Sequence, residues 1–496
     1  MSEGEIELKG NPGSTGSDTA HHLRIELHGI DYIPEHERWA KPRDLFAMWA
    51  GASFQVEYFV YGIALMTFGF SFSQALILTV IGNCSFVLVG VASLQGPIAG
   101  TTAMTINRAP FGSRGARLIA VFNWLTQIGF ETEGLILIVL AAEVLAERGG
   151  VHVGSGLKMV FILFAVAIQL LVPLFGHETL IKTLRALAVP FLALYIILAA
   201  YIIPKAHFHS VVHVASWSTW LAGLAFTVAL SGLGWTENGN DYSRYLPEDA
   251  KRSSIIAWVF LGSGVPQTLV MIIGIMVGTY TTTIATSANP FSAFANAHVV
   301  PTAFVVPVLV VSIVQLFAIN SLDLYSSGVT LQTIGFSLKR WQAVIVDTCV
   351  TGILTVYAVF DATFNTLLKD FADIVIIWIG PWFAIYILDW AMRRYRYDSL
   401  ALQQVNAGSR YYGSFYGLRP AAVFAQLLGM FAALEGLSPT FSVPSWLNLV
   451  AAHTHGADVS IFSGAGVAGI VYFLLVRKEF NKVDDESKVD VEVASS

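Results

Sequence analysis

The chain has 496 residues, 55% of them hydrophobic and only 12% charged, with a formal net charge of −6. A soluble domain carries about 25% charged residues, so most of this length is built to be solvated by lipid, and the acidic balance excludes an electrostatic footprint for nucleic acid. The two cysteines, Cys84 and Cys349, fall in apolar stretches without paired spacing and read as small buried side chains, not a disulfide or a metal pair.

Residues 1–44 form a polar N-terminal segment, Pro/Gly/Ser/Thr-rich from Asn11 to Thr19, without a basic-then-apolar signal pattern. The first spanning segment is therefore expected to direct insertion itself. About twelve apolar segments of spanning length follow, at 46–69, 74–95, 117–145, 157–175, 183–203, 217–236, 255–280, 299–322, 343–360, 371–390, 418–437 and 460–477, before a tail at 479–496. They are called segments one to twelve below. This pattern predicts an all-α integral membrane protein.

Lys and Arg gather in the loops after segments two, four, six, eight and ten, among them Arg108, Arg114, Lys182, Arg185, Arg244, Arg252, Lys339 and Arg393 to Arg396. The opposite loops hold few, such as Arg148, Lys158, Lys205 and Lys369. The positive-inside rule then places both termini in the cytoplasm, consistent with an even number of spans across the plasma membrane.

Segment one carries Gly51, Gln55, Glu57 and Gly62, and segment six ends in Ser231-Gly-Leu-Gly-Trp-Thr-Glu-Asn-Gly-Asn240. Gly costs about 1 kcal/mol relative to Ala in a helix, and Asn competes for backbone hydrogen bonds. An opened helix in a membrane is tolerated only where protein or a cavity surrounds it. The two segments occupy equivalent places if the first ten spans are two repeats of five, at about 46–203 and 217–390, with two extra helices at 418–477. Interrupted helices in such positions mark a transporter site at the midplane. The alternative is that the glycines only let helices pack closely.

Four carboxylates, Glu57, Glu131, Glu133 and Asp323, sit within or at the edge of these stretches. A charged group at that depth costs roughly 2.5–3.5 kcal/mol even on lenient insertion scales, and is usually kept for a substrate or ion pathway. Glu131 and Glu133 point about 200° apart on an ideal helix, so both cannot face one pocket unless the helix distorts.

Four motifs carry a family resemblance: Gly29-Ile-Asp-Tyr-Ile-Pro-Glu-His-Glu-Arg38 leading into Lys41-Pro-Arg-Asp44; Asn107-Arg-Ala-Pro-Phe-Gly-Ser-Arg-Gly115; Gly234-Trp235 with Asn240-Asp-Tyr-Ser-Arg-Tyr-Leu-Pro247; and Asn320-Ser-Leu-Asp-Leu-Tyr-Ser-Ser-Gly328. Together they resemble the purine–cytosine permease branch of the nucleobase:cation symporters over roughly residues 29–480. The resemblance implies a leucine-transporter-like fold of two inverted five-helix repeats plus two helices. It also implies cation-coupled import of a flat nitrogenous heterocycle such as a purine, cytosine, allantoin or a hydantoin. It places the ring between aromatics of segments three and six, matching Phe130 and Trp235, and an indole face stacks well on a heterocycle. The amide that the family keeps on segment three is Gly134 here, and its segment-eight amide aligns with Asp323. Asn320, Asp323 and Ser327 share one helical face, and Gln55 matches a polar position of segment one.

Sodium-coupled relatives are expected to carry a Ser-Thr pair shortly before the segment-eight amide; here that offset reads Phe317-Ala318. A proton needs only a carboxylate able to hold it, and burial disfavours the charged form. A proton carried by Glu57, Glu131, Glu133 or Asp323 is therefore favoured over sodium bound by backbone carbonyls. Asp241 and Arg244 read as structural or gate charges. No cofactor motif, metal constellation or phosphate-cradling Gly-Lys sequence occurs, so the chain is not read as an enzyme or an ATP-driven pump. A channel stays open as an alternative, a vitamin-precursor pyrimidine stays open as the substrate, and the oligomeric state is not specified.

Overall fold

A computed structural model of the chain describes residues 29–170, 177–208, 215–336, 338–361, 364–438 and 449–495. The Asn11–Thr19 stretch and most of the N-terminal segment lie outside the described residues.

The described residues are helical throughout, with no strand longer than an isolated bridge. Among the described residues eight helices are long and apolar enough to cross a membrane: Phe72–Ala99, Lys182–Lys205, Trp217–Ser243, Arg252–Gly278, Thr302–Ile334, Trp341–Phe360, Val375–Met392 and Ser460–Phe480. Three shorter apolar helices, Val56–Met66, Ser155–Gln169 and Pro420–Glu435, belong to segments one, four and eleven. Segment three is the helix Arg108–Arg148, whose polar stretch from Asn123 to Glu133 is buried in protein.

Segment one is two helices, Pro42–Ser53 and Val56–Met66, separated at Phe54 and Gln55. Gln55 is extended (φ −139°, ψ 158°) and starts the second helix. The break is thus not at the glycines. A Cβ on Gly51 would come within 2.3 Å of the Leu184 carbonyl oxygen, and one on Gly62 within 2.2 Å of that of Met271. These two residues exist for close helix approach, and a polar residue at the opening marks the interruption.

Segment six is likewise interrupted. Ser216 caps the helix Trp217–Ala229 by accepting from Thr219 N–H at 3.1 Å. The chain then tightens into the short 3-10 turn Leu233–Trp235 before the helix Gly239–Ser243. The asymmetry of Gly and Asn along this stretch is what the backbone uses.

Three expectations are corrected. The motif Asn107–Gly115 is helical, not a loop, and is kinked at Gly112 (φ 82°). The backbone groups freed there bond to a distant loop: Arg419 N–H to the Phe111 oxygen at 2.9 Å, and Ser113 N–H to that of Tyr412 at 2.9 Å. Segment eight does not end near residue 322; its helix runs to Ile334. Its apolar run stops there because Asn320, Asp323, Ser326, Ser327 and Thr330 are buried against other helices. Cys84 and Cys349 are exposed on the outside of their helices, not buried. In a spanning helix the outside is apolar too, so the same small side chain suits it.

Segment three packs along segment eight, segment one against segment seven, and segments ten, eleven and twelve against one another. Basic loops meet at one end, where Arg393 donates to the Ala109 oxygen (3.0 Å), Arg185 pairs with Asp44 (2.8 Å) and Arg252 lies over Tyr395 (5.4 Å). At the other end Lys205 donates to the oxygens of His298 (2.6 Å) and Val299 (3.0 Å).

Candidate functional site

The two openings lie beside one another and beside the middle of segments three and eight. Between them is a small cavity with about 10 Å³ of free volume, lined by Glu57, Tyr58 and Tyr61 of segment one, Phe130 of segment three, Leu230 and Trp235 of segment six, and Ile319 and Asp323 of segment eight. No Lys or Arg lines it.

Phe130 and Trp235 form its aromatic walls. Their rings are 15° from parallel with centroids 6.0 Å apart. Each ring is braced edge-on by another: Trp49 against Trp235 at 5.6 Å and Phe371 against Phe130 at 4.6 Å. The Trp235 indole N–H also donates to the Tyr58 hydroxyl at 3.3 Å. Such bracing fixes ring planes, which is what recognition of a flat ligand requires.

The polar end of the cavity is acidic. Asp323 is buried and its Oδ1 has no hydrogen-bond partner among the described residues. Glu57 lies within electrostatic reach of both Asp323 and Glu133. Tyr61 donates to Glu133 Oε1 at 2.8 Å. Unpaired buried charge is costly, so this cluster calls for positive charge from outside the lining: a proton, a metal cation or a cationic ligand.

The remaining candidates are placed differently. Glu131 points away from Glu133, towards Ser327 and Asp347 of segments eight and nine; Ser327 and Trp124 both donate to the Asp347 carboxylate. Asn320 donates to the Glu131 carbonyl oxygen at 3.1 Å and to Gln169 at 3.3 Å. It does not line the cavity. Its Oδ1 sits 2.2 Å from where a Cβ on Gly134 would be, so the missing side chain at 134 makes room for it. Gln55 is buried at the opening of segment one, next to Glu57 but outside the lining. Asp241 accepts from Ala103 N–H at 3.0 Å, and Arg244 donates to Tyr325 at 2.9 Å and to the Gly29 oxygen. Both lie outside the cavity lining.

Three residues were not singled out by sequence. Gln127 donates to Glu237 Oε1 (3.2 Å) and Asn238 Oδ1 (3.3 Å), tying segment three to the opened part of segment six. Glu237 is fully buried near Asp323. Asp347 is an intramembrane carboxylate by the same criterion that picked out Glu57, and that criterion would have found it.

A family model described as permease for cytosine/purines, uracil, thiamine, allantoin matches residues 32–458. The chain belongs to this permease family. It is a transporter, not an enzyme. YxlA of Bacillus subtilis, described as a purine-cytosine permease, is 23% identical over 478 residues, 93% of this chain and 98% of that one. The purine-cytosine permease fcyB of Emericella nidulans is 23% identical, covering 91% and 88%. Mhp1, a nucleobase-cation-symport-1 family transporter solved closed with bromovinylhydantoin bound, aligns with a TM-score of 0.73 at 17% identity, over 92% of this chain and 96% of that one. Its inward-facing form aligns at 0.68. The permease therefore has the Mhp1 fold, an all-α transporter fold as the resemblance implied.

Proposed function

We propose that this permease imports a nucleobase or related planar nitrogenous heterocycle, held between Phe130 and Trp235, together with a proton. The observation that carries this reading is the near-parallel aromatic pair lining a cavity that Asp323 and Glu57 also line, with Glu133 within electrostatic reach of both. An aromatic face on each side recognises a flat ring of any substitution, and stacking is worth about 0.5–1.5 kcal/mol beyond area burial. Ring N–H groups donate to carboxylate oxygen, so Asp323 and Glu57 fit a donor-rich ring edge.

Proton coupling is supported by the acidic lining without Lys or Arg, and by Phe317-Ala318 supplying no hydroxyl for sodium. Asp323 is the residue we assign to the coupling proton, with Glu57 and Glu133 sharing its field and Glu131 within its reach but turned towards Ser327 and Asp347. Both termini are assigned to the cytoplasmic side of the plasma membrane, on the grounds that the basic loops meet at the end that holds Gly29 and Asp44.

A second reading rests on the same acidic lining. A cationic heterocycle, such as a charged vitamin-precursor pyrimidine, would itself supply the missing positive charge, with sodium or no coupling ion. Uptake into sealed vesicles decides between them. Accumulation above equilibrium that collapses when the proton gradient is discharged supports proton symport. Accumulation that needs sodium, or equilibration alone, contradicts it.

A further inference from the structure

Three spans end at one cavity on the face where the arginine-rich loops meet. The apolar windows Val375–Met392 and Ser460–Phe480 stop at its wall, and the helix Pro420–Glu435 begins beside it. The cavity is open, with a volume of about 570 Å³. Five arginines line it, Arg393, Arg394, Arg396, Arg410 and Arg419, against two carboxylates, Asp398 and Glu479.

The inner arginines are held in place. Arg393 meets Asp389 through two bonds, at 2.6 and 3.0 Å, and Arg419 meets Glu479 at 3.2 Å. Asp398 is engaged with the Ala401 backbone N–H at 3.0 Å. Arg396 and Arg410 are exposed, and among the described residues neither is ion-paired with a carboxylate. Arg410 lies over the Tyr411 ring at 5.6 Å. The turn that turns Arg393, Arg394 and Arg396 to one cavity is strained: Arg394 (φ 56°) and Tyr395 (φ 62°) are consecutive left-handed residues without being glycine. Such conformations cost of order 1–3 kcal/mol each and persist where the surroundings over-determine them, often at ligand clamps.

We propose that this cavity binds the phosphate of an anionic phospholipid headgroup. Guanidinium forks match phosphate oxygens with charge-assisted hydrogen bonds. The ends of three spans put the site at headgroup level, where basic pockets between transmembrane helices take anionic lipids. Apolar side chains continue from it along the lipid face: Phe473, Leu474 and Leu475 of segment twelve and Phe424 of segment eleven are exposed within two turns of the cavity. A soluble phosphate shares the chemistry but would not need that apolar continuation.

The test is native mass spectrometry of the full-length protein in detergent, titrated with phosphatidylglycerol, phosphatidylcholine or inorganic phosphate. Wild type is expected to retain one phosphatidylglycerol about 10-fold or more in preference to phosphatidylcholine. Arg396→Gln/Arg410→Gln should lose that preference with an unchanged thermal midpoint, and Arg396→Lys/Arg410→Lys should keep part of it. Equal retention of the two lipids by wild type, or an unchanged preference in the Gln variant, overturns the site. Displacement of phosphatidylglycerol by millimolar inorganic phosphate overturns the lipid assignment.

Discussion

The rings of Phe130 and Trp235 lie 15° from parallel with centroids 6.0 Å apart, and the cavity they line has about 10 Å³ of free volume, too little for a bound ring. A flat ring sandwiched between two others needs about 7 Å, twice the ~3.5 Å contact distance. The site must therefore open on binding, and the interruption of segment six at Leu230–Asn238 is where the backbone can yield. A structure with bound heterocycle is expected to show the two centroids near 7 Å with the ligand between them. A ligand bound elsewhere, with the ring pair unmoved, would count against this placement.

Asp323 should make substrate affinity depend on pH. If proton and substrate bind together, binding takes up a proton, and affinity falls as pH rises, by at most about 10-fold per pH unit for one proton. Asp323→Asn restores an amide and removes the titrating group, so its affinity should be flat with pH and its accumulation against a gradient poor. Binding measured from about pH 5 to 8, with and without sodium, checks this. The same slope in the variant would move the proton to Glu57, Glu133 or Glu131.

Gly134 and Asn320 are predicted to be coupled. Gly134→Ala would put a Cβ 2.2 Å from Asn320 Oδ1 and displace it from the Glu131 carbonyl. Overpacking of this kind costs about 1–3 kcal/mol, read as a lower thermal midpoint in detergent. Adding Asn320→Ala should recover part of the loss. An unchanged midpoint in the single variant would show that Asn320 is not confined there.

Most of the architecture could be read from the chain, for physical reasons that differ between elements. Twelve apolar runs and the Lys/Arg asymmetry are local composition signals, and each run is helical, interrupted in segments one and six. The opening of segment six was legible because Gly and Asn cluster from Gly232 to Asn240. The opening of segment one was legible only as to segment, since Gly51 and Gly62 serve packing and the break falls at Phe54–Gln55. Which carboxylates share a cavity was not legible. Helical spacing separated Glu131 from Glu133, but only the packing of segments one, eight and nine shows Glu131 turned to Asp347 and Glu133 to Tyr61. Asn320 and Asp323 share a helical face, yet Asn320 is taken up by Glu131 and Gln169 of segments three and four while Asp323 lines the cavity.

Tags placed at Ser2 and Ser496 are expected to be protected from protease in intact cells and cleaved after permeabilisation. Cleavage of either tag from outside would refute the shared cytoplasmic side of the termini and, with it, the even number of spans.

The aromatic site is tested most directly by the affinity of purified wild type and Trp235→Ala for a panel of nucleobases, allantoin, hydantoins and pyrimidine vitamins. Wild type is expected to bind at least one planar heterocycle. Trp235→Ala should bind it with a loss of at least about 1–2 kcal/mol, roughly 5- to 30-fold, and Trp235→Phe should keep part of the affinity. Equal affinity in wild type and Trp235→Ala, with the fold intact, would contradict a substrate ring stacked between Phe130 and Trp235.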